Sequence, residues 1–308
     1  MATVIRPRAS ALTNIRSDIS ELLTYRHLLR RMFIRAWLAR YRSSPSAVVI
    51  SMIAPLLQVL VMTFAVEFIL AAGPKNLSVY ILCATIPYGF FQASIMSSFS
   101  GIDAMQPMVK RVYFPREVFV ITDVTINFVQ MLFALGVFLV YRYGVMTLIS
   151  GWPGLPPNEI LLLPALLVLT YLLTLGVALF TSAVFFYFED VRFMVNILLS
   201  LMFYLMPILY FAENIFYSAK LPSIRFGSHT LKWWIYHLYL ANPMAWIVTA
   251  FKQIFFGRQI ISQRGHQAIL SAPFDYRYFA ITTVTTLIIF VGGYLFFNQM
   301  KWKFAERP

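Results

Sequence analysis

The chain has 308 residues, 60% of them hydrophobic and only 12% charged, with a mean hydropathy of +0.72. Soluble domains carry about 25% charged residues, so an ordinary soluble enzyme or binding module is excluded. The formal charge of +13 would point to nucleic acid in a soluble protein; in so apolar a chain it fits membrane topology and anionic lipid headgroups, and no nucleic-acid partner is expected.

Residues 1–46 carry nine arginines, and the first 20 read as a polar cytoplasmic arm. No apolar run follows the first charges, so no cleaved signal peptide is expected. Within Glu21–Arg42, Leu22, Leu29, Phe33 and Trp37 recur at helical spacing, with Arg26, Arg30, Arg35 and Arg40 between them. An apolar stripe opposed by arginines reads as a cytoplasmic amphipathic helix in the membrane interface, or as a soluble helix packed on another domain.

Residues 47–308 read as one six-helix transmembrane domain. The expected spans are Ala47–Leu70, Leu77–Phe99, Phe119–Tyr141, Leu161–Phe188, Phe193–Phe211 and Phe279–Phe297. A hydrocarbon core of about 30 Å takes about 20 helical residues, and its lack of water forces backbone groups to pair internally, so each span is expected to be a helix. The fold class is therefore an all-α integral membrane protein. Pro55, Pro87 and Pro207 mark candidate bends, and Glu67 either faces a lumen or snorkels to headgroups. Cys83, the only cysteine, lies mid-span and is expected to be inert.

Sixteen of the 25 Lys and Arg fall on the side of the two termini, and the short loops carry that bias. Both termini are expected in the cytoplasm. The loop Gly101–Glu117 mixes charges with Met105, Met108 and Val109, an apolar surface that membrane or a soluble partner would cover. Glu189-Asp190 is a lone adjacent acidic pair beside Arg192, which also suits a solvated turn.

The segment 212–277 is expected outside. Asn242-Pro243 reads as an N-cap with proline at the first helical position, and Gly257 as the stop. The enclosed helix Met244–Phe256 is about 20 Å long, too short to cross and too apolar for water, which predicts a re-entrant or interfacial helix. Leu231–Leu240, with Trp233, Trp234, Tyr236 and Tyr239, reads as a second such element or as an aromatic belt.

Catalytic and nucleotide motifs are missing. No Gly-x-x-x-x-Gly-Lys-Ser/Thr occurs, and His27, His229, His237 and His266 are scattered, so no cofactor or metal site is expected in this chain. A membrane-embedded glycosyl- or acyltransferase would have only Asp103, Asp123 and His27 to work with on the cytoplasmic side, and they form no motif.

Four motifs in order carry a resemblance: Leu38-Ala-Arg-Tyr-Arg-Ser-Ser with Pro55-Leu-Leu; Lys110-Arg-Val-Tyr-Phe-Pro-Arg-Glu117; Phe188-Glu-Asp-Val-Arg192 with Met206-Pro-Ile-Leu-Tyr210; and Asn242-Pro-Met-Ala-Trp-Ile ending near Phe256-Gly257. The chain resembles the permease subunit of ATP-binding-cassette exporters of lipid-linked polysaccharide, O-antigen, teichoic acid and capsule. It departs from them in the long segments 212–241 and 258–278.

The resemblance implies a homodimer working with two copies of a separate ATPase, which would hold ATP and Mg²⁺. The cargo would be a polyprenyl-(pyro)phosphate-linked glycan moved from the inner to the outer leaflet of a bacterial inner membrane. Six spans without internal polar lining are too few to enclose such a path alone. Asp103, Met105, Met108, Lys110, Arg111, Arg116, Glu189, Asp190 and Arg192 would couple to the ATPase. Arg26, Arg30, Arg35 and Arg40 would meet phosphate or headgroups through forked bonds, and Asn242, Pro243, Trp246 and Phe251 would build an external re-entrant gate. A permease of the same fold for drugs or small lipids is the alternative.

Overall fold

The computed structural model describes residues 26–41, 77–109, 117–145, 158–188, 190–212, 225–226, 229–256, 259–263, 266–271 and 274–300, with Leu57, Val61, Phe64 and Leu148 as isolated points. The helices are α1 (Arg26–Tyr41), α2 (Leu77–Val109), α3 (Glu117–Leu139, continued by a π-helical turn over Val140–Val145), α4 (Leu163–Phe185, entered through a 3-10 turn over Asn158–Leu162) and α5 (Val191–Leu205). Then come strands β1 (Arg225–Phe226) and β2 (His229–Thr230), helices α6 (Leu231–Ala241) and α7 (Pro243–Phe256), strands β3 (Gln259–Gln263) and β4 (His266–Ser271), and α8 (Tyr276–Met300).

Among the described residues, four helical segments are long and apolar enough to cross a membrane: Val79–Gly101, Glu117–Gly144, Asn158–Phe185 and Tyr276–Met300. The chain is thus a multi-pass membrane protein. These segments match the second, third, fourth and sixth expected spans. The first expected span lies outside the described residues except for Leu57, Val61 and Phe64, all exposed.

The fifth expected span, Phe193–Phe211, ends early as a helix. α5 has 15 residues and stops at Leu205, with Met206 extended at φ −72°, ψ 152°. Pro207 explains the stop, because its ring forces the preceding residue out of the helical region. Pro87 behaves differently, since α2 runs unbroken through it. Where the sequence suggested a loop after Phe99, that helix continues to Val109.

Outside the spans, β1–β2 and β3–β4 are two-stranded antiparallel hairpins. The second joins α7 to α8, with Ile261 opposite Ala268 and a register shift after Gln259.

The tightest packing is between α4 and α8. A Cβ on Gly293 would lie 2.1 Å from the Gly176 carbonyl oxygen, and one on Gly176 would lie 2.6 Å from the Phe290 Cα. In lipid, apolar burial gives helices no preference for each other, so such backbone approach by small residues drives association. Polar bonds add to it. Asn127 Nδ2 donates to Ser97 Oγ at 2.7 Å, linking α3 to α2, and Thr125 Oγ1 pairs with Tyr171 Oη at 3.0 Å, linking α3 to α4. The expectation of spans without internal polar groups is corrected here: buried hydroxyls and amides bridge them.

α1 forms within the helix expected at Glu21–Arg42. Trp37 stacks on Phe33 and its ring lies 6.5 Å from Phe133 of α3.

Candidate functional site

α5 joins the two regions that the sequence singled out. At its N-terminal end, Arg192 Nη2 donates to Ser100 Oγ of α2 at 3.2 Å. That bond brings the connection before α5 beside the segment of α2 that starts at Gly101. Asp190 occupies the N-cap position with no side-chain cap bond; its exposed carboxylate leaves the backbone carbonyl to accept from Phe193 and Met194. Lys110, Arg111, Arg116 and Glu189 lie outside the described residues, as do the side chains of Asp103, Met105 and Met108. Of the α1 arginines, Arg30 is exposed, while the side chains of Arg26, Arg35 and Arg40 lie outside the described set.

Among the described residues, α5 is held along its length on one side only. Tyr88 Oη of α2 donates to the Leu199 carbonyl, and Leu199 is buried. On the other side Phe193, Met194, Ile197, Leu201, Tyr204 and Leu205 are exposed at helical spacing.

The C-terminal end of α5 is caged. A helix that stops leaves carbonyls without intrahelical donors. Here the Leu205 carbonyl accepts from Tyr239 Oη at 2.5 Å and from Tyr210 Oη at 2.6 Å, and the two phenols are 3.0 Å apart. Lys252 Nζ of α7 donates to the Pro207 carbonyl, to Ile208 at 3.3 Å and to Tyr210 at 3.0 Å. It sits 4.7 Å above the Phe211 ring, and the lysine is only 3% exposed. A buried ammonium is costly unless its three protons are met, and these carbonyls meet them.

α7 begins as the sequence suggests. Asn242 Oδ1 accepts from the Met244 N–H at 3.0 Å, and Asn242 O accepts the first helical bond from Trp246 at 3.1 Å. Pro243 follows as the first helical residue. Every residue from Met244 to Phe256 is buried, Trp246 and Phe251 included. Gly257 lies outside the described residues. Next to α7, the buried Arg142 guanidinium lies 5.1 Å from the Tyr143 ring and 5.5 Å from the Phe256 ring. The sequence reading missed this cage and this buried cation. The available signal was a lysine inside an otherwise apolar short helix.

The chain is similar to relatives named O-antigen export system permease protein RfbA. One from Klebsiella pneumoniae is 24% identical over 269 residues, 87% of this chain and 89% of the relative. A second from Klebsiella pneumoniae is 23% identical over the same shares. The chain resembles O-antigen export permeases over most of its length. The Myxococcus xanthus permease of that name is 25% identical over 245 residues, 79% of this chain and 85% of the relative. No protein-family model matches.

Proposed function

We propose that the chain is the membrane-spanning half of an ATP-driven exporter. Its cargo is a polyprenyl-(pyro)phosphate-linked glycan of the O-antigen class, passed from the cytoplasmic to the outer leaflet of a bacterial inner membrane. Two copies work with two copies of a separate ATPase, which binds ATP and Mg²⁺, so the chain catalyses nothing alone. The relatives' name supports the cargo class.

The observation that carries the reading is α5. It is tied at one end to α2 through Arg192 and at the other to α6 through Tyr239, the segment that follows it is held by Lys252 of α7, and one side of it is exposed and apolar among the described residues. Such a helix suits a shared face between two copies, and it can pass displacement from an ATPase at the Arg192 end to α6 and α7. In this reading residues 47–70 and 193–211 complete six spans, and both termini are cytoplasmic. The segments around Asp103–Arg116 and Glu189–Arg192 receive the ATPase. The α1 arginines meet lipid phosphates. α6 and α7 are re-entrant from outside, with Asn242, Pro243, Trp246 and Phe251 shaping the exit.

A depletion strain tests this. Lipid-linked glycan should accumulate on the cytoplasmic leaflet as the chain is lost; an unchanged distribution between leaflets would reject the reading.

A further inference from the structure

The hairpin β3–β4 stands alone: among the described residues no third strand joins it. An isolated two-stranded hairpin is only marginally stable in water, and its outer edges offer unpaired backbone N–H and C=O groups. Folded proteins guard such edges with charged side chains, proline, bulges or a covering element.

β4 has such guards. Gln259 pairs with Ser271 but Ile260 pairs with Ile269, so Leu270 is an extra residue that bulges β4, and β4 lies beside α7. β3 is different. Its five residues, Gln259-Ile260-Ile261-Ser262-Gln263, include no charge and no proline.

The register shows which backbone groups of β3 are free. Gln263 pairs with His266 across a two-residue connection, and the closing pair of such a hairpin is hydrogen-bonded. Bonding alternates along antiparallel strands. Gln263 and Ile261 therefore turn their backbone groups to β4, and Ile260 and Ser262 turn theirs to the open edge.

Those two residues lie symmetrically about Ile261, and the strand reads almost the same in either direction. Laid antiparallel on a copy of itself with the axis at Ile261, it sets Gln259 opposite Gln263, Ile260 opposite Ser262 and Ile261 opposite Ile261. The Ile260–Ser262 pair occurs twice, where both strands offer free donors and acceptors, giving about four hydrogen bonds. No like charges meet. A register one residue off would set outward groups of one strand against inward groups of the other. A self-matching surface of this kind is what a two-fold contact requires.

We infer that β3 is a contact between two copies of this chain. The two hairpins join through β3 into one four-stranded antiparallel sheet, tying together the α7–α8 connections of both copies. The inference rests on the two-copy reading of the exporter and names a surface for it separate from α5.

The test is oxidative cross-linking of the full-length chain carrying Cys83→Ala, in native membranes, with copper phenanthroline. The Cα atoms of a non-hydrogen-bonded pair lie about 4.5 Å apart, within disulfide reach. Ile261→Cys should therefore give a cross-linked dimer, and Ala268→Cys, on the strand away from the joint, should not. Adding Ser262→Pro removes an outward N–H from each copy and should cut the Ile261→Cys dimer about tenfold. If Ile261→Cys fails to fold, Gln259→Cys and Gln263→Cys on separate co-expressed copies test the same register. Cross-linking no greater than at Ala268→Cys, or undiminished by Ser262→Pro, overturns the inference. The copy number of the complex is measured in parallel by native mass. Two copies without the cross-link reject the hairpin contact and leave the two-copy exporter; a single copy with the cross-link does the reverse, and a single copy without it rejects both.

Discussion

The Lys252 ammonium, in α7, donates to the Pro207 carbonyl just beyond the end of α5. Pro207 ends the helix by its own chemistry, and a lysine 45 residues later pairs the carbonyls of the segment that follows it. Lys252→Met keeps the stem and removes all three donors. Each buried acceptor left unmet costs about 1–3 kcal/mol, so a loss of several kcal/mol is expected. The check is the melting temperature of the purified protein together with glycan export. An unchanged melting temperature would mean that the cage contributes no stability.

The α4–α8 crossing makes a sharper packing prediction. Gly293→Leu must push aside the Gly176 backbone, while Gly292→Ala, with nothing within 4 Å of its added carbon, meets open space. Overpacking of this kind costs roughly 1–3 kcal/mol or more. Gly293→Leu should lower the yield of monodisperse protein and Gly292→Ala should not. Equal yields would contradict the close crossing.

How much of this was legible follows from range. The starts and ends of α3, α4 and α8 follow from long apolar runs, and the start of α7 from Asn242-Pro243; these are local signals. The continuation of α2 to Val109 was hidden by Asp103, Gln106 and Pro107, which read as loop residues. The cage of Lys252, Tyr210 and Tyr239 and the pairing of Gly176 with Gly293 join residues far apart in sequence. No periodicity reports such partners. The β3–β4 hairpin was missed because its strands are only 5 and 6 residues long in a stretch read as polar.

Coupling to an ATPase predicts a phenotype at the Arg192 end. Charge reversal at Asp190, Lys110 or Arg111 should weaken ATPase binding or coupling without blocking membrane insertion. Asp190 is exposed, so its reversal should leave the fold intact. Doubly reversed protein that co-purifies normally with its ATPase and still exports glycan would refute the assignment.

The re-entrant reading of α7 places Asn242 and Gly257 on one side. With Cys83 replaced, cysteines at both positions should react with an impermeant reagent from outside. A charge at Ile247 or Phe251, both buried, should cost about 2–3 kcal/mol and impair export more than the same change at Gln259. Labelling of one position only from inside would show a full crossing.

The bare face of α5 predicts self-association. Cysteines at Ile197 or Leu201, both exposed, should cross-link between two copies, and native mass should find two copies in the complex. A complex holding a single copy would contradict this.

The most direct measurement of the central claim is transport in liposomes that hold this chain and its partner ATPase, with lipid-linked glycan in the membrane. Glycan should become accessible on the leaflet opposite the ATPase only when ATP and Mg²⁺ are supplied, and the chain alone should turn over no ATP. Glycan transfer that proceeds equally without ATP, or ATP turnover by the contaminant-free chain, would contradict the account.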